Sequence, residues 1–107
     1  MTGEQHSTGP CVIVTHRIRA GTDDDFLQAL QRLHDARRAR GWVTEHWLVL
    51  KNRDEENTYT QIVEYVNPEA EEQANEAPDM GEFRREIGKV STGYPEHRWT
   101  HLVRSTC

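Results

Sequence analysis

The chain has 107 residues, 35% apolar and 29% charged, with 18 acidic against 13 basic side chains and a net charge of -5. One hydrophobic core normally serves a chain of this size, and an acidic chain with no long basic block lacks the stripe that displaces phosphate counterions, so nucleic-acid binding is not expected. No stretch approaches the roughly 20 apolar residues that cross a bilayer, and the polar start from Met1 to Pro10 is unlike an export signal. The expectation is a soluble cytoplasmic protein with no membrane partner. The two cysteines, Cys11 and Cys107, are too few for a disulfide scaffold and lack the spacing of a zinc or redox pair, which fits reduced thiols.

Residues 1–10, rich in Gly, Ser and Thr, show no periodicity and read as a tail, leaving 11–107 as a single domain. Val12 to Arg19 alternates, with Val12, Val14, His16 and Ile18 on one side, and predicts a first strand. Thr22, followed by Asp23, Asp24 and Asp25, supplies a hydroxyl cap and negative charge for the start of a helix. Phe26, Ala29, Leu30 and Leu33 carry that helix's apolar stripe, and Gly41 ends it. Arg37, Arg38 and Arg40 near its end are expected to be solvated partners of the helix dipole.

Trp42 to Lys51 and Thr58 to Val66 are rich in Val, Trp, Tyr and Leu and are joined by a short polar link, so they predict a hairpin. Asn67 and Pro68 form a cap and first-turn proline for a second helix, which Pro78 must break in two before Met80, Phe83 and Ile87 resume the helical spacing. After Ser91, Gly93 and Pro95, residues His97 to Val103 alternate as a last strand.

Strand, helix, strand, strand, helix, strand is the order of the ferredoxin-like unit, an α+β fold in which a four-stranded antiparallel sheet carries both helices on one face. Val43, Trp47 and Val49 together with Tyr59, Val63 and Tyr65 form one apolar face, while Leu48 and Ile62 belong to the other. Two helices cannot cover both, so a twofold homodimer is expected to bury the second.

The sequences Arg17-Ile18-Arg19-Ala20-Gly21 and Gln61-Ile62-Val63-Glu64-Tyr65, with Phe26 and Gly41, make the chain similar to the dimeric α+β barrel superfamily over about residues 12–103. Within it the chain resembles the antibiotic-biosynthesis monooxygenase-like domains. The resemblance implies small-molecule chemistry in a pocket between sheet and helices, with cofactor-free oxygenation of aromatic polyketides foremost and polyketide cyclisation as the alternative. Haem-degrading relatives use a histidine in the second helix, and residues 67–90 contain none, so haem ligation is not expected.

First and last strands are antiparallel neighbours in this fold, which places His16 roughly opposite His101 and Cys11 near Cys107. The two histidines are the candidate catalytic pair, since an imidazole on an apolar wall is neutral and can act as a general base toward a phenol or acidic carbon. Trp99 and Trp42 are candidate walls for a flat ring, Tyr59 and Tyr65 candidate hydroxyl donors, and Met80 and Phe83 border the same space from the helix side. His46 is expected at the pocket rim, and Glu64 on a central strand needs a partner and could orient a histidine. His34 and His97 read as solvated. No tight ligand spacing supports a metal, and no cofactor is expected. A non-enzymatic ligand-binding or dimerisation domain of the same fold is the competing reading.

Overall fold

In the computed structural model, which describes residues 9–103, two central strands organise everything else. These are β1 (Pro10–Arg17) and β3 (Thr58–Tyr65), flanked by β2 (Val43–Lys51) and β4 (Glu96–His101) in the order β2-β3-β1-β4, all antiparallel. The helices are α1 (Asp23–Ala39), α2 (Pro68–Glu76) and α3 (Met80–Val90). This is the expected βαββαβ ferredoxin-like arrangement, with the second helix divided as the sequence predicts.

The division follows from Pro78, which cannot donate a helical hydrogen bond. Asn67 caps α2 as expected, its side-chain oxygen accepting from the Ala70 amide at 2.7 Å. Gly41 takes a φ of 72°, the left-handed conformation that closes α1 with little cost only in glycine. Thr22 departs from expectation: its hydroxyl donates backward to the Arg19 carbonyl at 2.6 Å, so it closes the preceding turn and caps no helical amide.

β1 begins two residues earlier than its alternation suggested, and the expected tail is corrected at its inner end. Gly9 and Pro10 are buried, because β1 runs between β3 and β4 and its first residues are covered from both sides. The remaining tail residues, 1–8, and Cys107 lie outside the described residues, as does any pairing of Cys107 with Cys11.

The helices cover the face built from Val12, Val14 and His16 of β1 and Tyr59, Val63 and Tyr65 of β3, against which Phe26, Leu30, Leu33, Met80 and Ile87 are buried. Residues paired across strands share a face, so Leu48, Ile62 and Ile13 line up on the other side. There Leu48 is 56% and Leu50 47% exposed, and among the described residues no helix covers them. No helix of the described residues is long and apolar enough to cross a membrane.

Candidate functional site

Between the helix-facing side of the sheet and α3 lies a cavity of about 610 Å³, within the range of small-molecule sites. Val12, Val14, Val63, Leu33, Met80 and Ile87 form much of its apolar wall. It opens toward β4 and the loop before it, where Tyr94 is 98% and Trp99 63% exposed. The aromatic mouth exists because β4 is an edge strand that no helix overlies, so its residues on this face stand beside solvent.

Gln61 organises the polar end. Its carbonyl oxygen accepts from Trp47 Nε1 at 3.0 Å and from Arg37 Nη2 at 3.4 Å. Both neighbours can only donate, which fixes the amide with its nitrogen toward His16 Nε2, 3.1 Å away. The amide therefore donates to His16, whose lone pair lies on Nε2 and whose proton lies on Nδ1. That Nδ1 group is buried with no hydrogen-bond partner. Burial first, then electrostatic repulsion by the neighbouring His97 and Arg37, lowers the His16 pKa to about 4, so the ring is neutral near pH 7.

Arg37 is 6% exposed, which corrects the expectation of a solvated arginine. The reason lies in the helix repeat: Phe26, Leu30, Leu33 and Arg37 share one stripe, so the end of α1 carries Arg37 down onto the sheet. Its Nη1 lies 3.5 Å from the Tyr65 hydroxyl, and its Nε has no partner. His34, also expected in solvent, is buried on the same side and stacks on Trp47 with ring centres 3.9 Å apart. Burial first, then Arg37 and Arg38, lowers its pKa to about 4.

The proposed histidine pair is not brought together. The β1–β4 register sets His101 opposite Pro10 and His97 opposite Val14, so the imidazole nearest His16 on the last strand is that of His97. His97 lines the cavity and stacks on Trp99 with centres 5.4 Å apart, whereas His101 is exposed and lies outside the lining. Pairing the two histidines required a register six residues away from the one adopted.

Trp99, Tyr65 and Met80 line the cavity as expected. Trp42 does not: it is buried away from the cavity, donates to Gln73 Oε1 at 3.0 Å and carries the Arg40 guanidinium over its ring. Tyr59 donates to Asp23 Oδ2 at 2.5 Å and packs on Phe26, so its hydroxyl serves the start of α1. Phe83 packs against the core beside the cavity rather than in its wall.

Glu64 and His46 meet, but on the opposite face of the sheet. Glu64 is buried, and its Oε1 accepts from Thr44 Oγ1 and contacts His46 Nδ1, each at 2.7 Å. A register shift between Val43 and Trp47 draws this part of β2 over the carboxylate. The carboxylate does orient a histidine, away from the cavity. Among the described residues, no three metal-ligating side chains gather into a possible metal site.

The four-stranded antiparallel sheet with helices on one face is a fold this chain shares with solved structures described as antibiotic biosynthesis monooxygenases and with a cofactor-independent oxygenase. A candidate antibiotic biosynthesis monooxygenase from Caulobacter crescentus superposes with a TM-score of 0.77 at 15% identity, over 94% of this chain and 96% of that one. SnoaB, a cofactor-independent oxygenase from Streptomyces nogalater, gives 0.70 at 22% identity, over 92% and 96%. A candidate antibiotic biosynthesis monooxygenase from Bordetella bronchiseptica gives 0.75 at 17%, over 90% and 98%. No family model matches the sequence, and comparison with curated proteins returns no match. At these identities the likeness defines the fold.

Proposed function

We propose that the chain is a cofactor-free oxygenase of a flat aromatic, polyketide-like molecule. The observation that carries this reading is the cavity itself: apolar along its walls, edged by Trp99 and Tyr94, and closed at its polar end by the His16, Gln61 and Arg37 group. A ring system enters past the aromatic mouth and places an acidic O–H or C–H at the polar end. SnoaB, with the same fold, is described as a cofactor-independent oxygenase, which supports the reading.

His16 is the proposed base. It is neutral with its lone pair fixed on Nε2, and a substrate that displaces the Gln61 amide meets that lone pair. With a pKa of about 4 the ring keeps the proton only while the substrate anion lies beside it, as an ion pair stabilised by the low dielectric. The anion then passes an electron to dioxygen, the two radicals combine as a peroxide anion on carbon that takes the proton back from His16, and loss of water leaves a carbonyl. One oxygen atom enters the product and the other leaves as water. Cyclisation would use the same anion in attack on a carbonyl of its own substrate.

The face bearing Ile13, Leu48, Leu50 and Ile62 is where this reading seats a second copy of the chain, burying apolar area that the helices leave open.

Anthrone tests the activity, because its conversion to anthraquinone consumes one dioxygen and releases one water. Anthraquinone formation above the uncatalysed rate in air, absent under nitrogen and reduced about a hundredfold in His16→Gln, is expected for a lost general base. No acceleration across a panel of anthrones and naphthols would remove the oxygenase reading, and an undiminished His16→Gln would remove His16 from it.

A further inference from the structure

We infer that the cavity selects an anion, a flat apolar ligand bearing a carboxylate that is held by Arg37. The inference rests on the cavity being the ligand site proposed above, and it adds the charge of the ligand.

Arg37 is a buried, permanently charged group with only neutral partners. Its contacts are the Tyr65 hydroxyl at 3.5 Å and the Gln61 oxygen at 3.4 Å, both at the outer limit for a hydrogen bond, and Nε has no acceptor. A guanidinium offers five N–H groups in a fork matched to a carboxylate. Here that fork is poorly filled from within the chain.

A shortage of acids does not explain this, since acidic residues outnumber basic ones. Among the described residues, carboxylates pair with Arg17, Arg32, Arg38 and Arg40, all outside the cavity. Arg37, Arg84 and Arg85 line the cavity, and none of the three is paired with a carboxylate. Among the described residues no Asp or Glu lines the cavity. An acidic protein thus encloses a cavity whose formal charge is positive, the arrangement expected where the missing countercharge arrives with the ligand.

The three arginines hold different positions. Arg84 and Arg85 are exposed on α3, and Arg84 Nη2 donates to the Ala74 carbonyl at 2.9 Å, so both act at the rim. Arg37 alone is inside, where water competes least and a charge-assisted hydrogen bond is strongest. Because Arg37 donates to the Tyr65 oxygen, the Tyr65 hydrogen remains available to donate to the same carboxylate. Arg37 therefore anchors, and the rim pair attracts.

The test compares anthracene-2-carboxylate with its neutral isostere anthracene-2-carboxamide, by fluorescence titration of the whole chain at low salt under nitrogen. The carboxylate is expected to bind at least about tenfold more tightly, the discrimination typical of one charged hydrogen-bonding anchor. Arg37→Met should bring the two probes within about twofold while keeping carboxamide affinity, and should fold at least as well because an unpaired buried charge is replaced by an apolar chain of similar length. Arg84→Gln/Arg85→Gln, changed on the surface, should keep most of the preference. Equal affinities in the unaltered chain overturn the inference, as does a preference that survives Arg37→Met or vanishes with the rim pair alone. Since binding is read without oxygen, a carboxylate preference with no anthrone turnover keeps this inference and removes the oxygenase, and turnover without preference does the reverse.

Discussion

Acidification should begin to destabilise this protein above the pH range in which carboxylates titrate. His16 and His34 are buried and neutral, each with its pKa lowered from 6.5 to about 4. The groups facing them are basic for the most part: His97 and Arg37 beside His16, and Arg37 and Arg38 beside His34, with Asp35 acting in the opposite sense. In the unfolded chain both rings take up a proton near 6.5, so between that pH and about 4 the unfolded state binds more protons and stability falls as pH falls. Below about 4 the native rings protonate as well and this loss stops. The displacement from 6.5 to about 4 corresponds to about 3 kcal/mol for each ring, most of it lost by about pH 4.5. Together the two approach the total stability of an ordinary small domain, about 5–15 kcal/mol.

Asp23 and Glu55 are held below the usual carboxylate range chiefly by the hydroxyl of Tyr59 and the guanidinium of Arg17. What they contribute is present above their unfolded pKa values, near about 4, and is lost only below that, so the interval above about pH 4.5 belongs to the histidines. Urea midpoints followed by tryptophan fluorescence from about pH 7.5 to 4.5 measure the slope. His34→Phe keeps a ring to stack on Trp47 and removes one titrating group, so it should halve the slope. A stability that is flat over this interval, or a slope that His34→Phe leaves intact, would refute the assignment of two buried neutral rings.

Other consequences follow from particular contacts. Gln61→Leu strands the Trp47 indole N–H and removes an acceptor from Arg37, and should cost about 1–3 kcal/mol in urea denaturation. Gly9→Ala sets a methyl group against the Tyr65 carbonyl oxygen, so backbone must move; a thermal-melt comparison should show a loss of about 1–3 kcal/mol, and none would contradict the close approach. Leu48→Glu places a charge in the uncovered sheet face, and sedimentation should show a lower association state than that of the unaltered chain. Trp99→Ala should weaken anthracene-2-carboxamide binding several-fold by removing aromatic area at the mouth, with stability unchanged because the residue is exposed.

The sequence by itself determined the elements, their order and the fold. Alternation in Val12 to Ile18, the Phe26 to Leu33 stripe, the Asn67-Pro68 start and the Pro78 break are local signals, and local hydrogen bonding and burial obey them. The burial of Arg37 was also legible, since it continues the Phe26, Leu30, Leu33 stripe, yet residue chemistry argued for solvent and position prevailed. His34 was less visible, because only the shape of Trp47 gives its ring a partner. What the tertiary structure decided was register and distance. Alternation fixes which face a strand residue occupies but not which neighbour it meets, so His97 rather than His101 stands near His16. The β2 irregularity that turns His46 onto Glu64 likewise depends on pairing between distant residues. Gln61 became the centre of the site because its amide lies within reach of Trp47, Arg37 and His16 at once, side chains from three different elements that only the packed layers bring within one hydrogen bond.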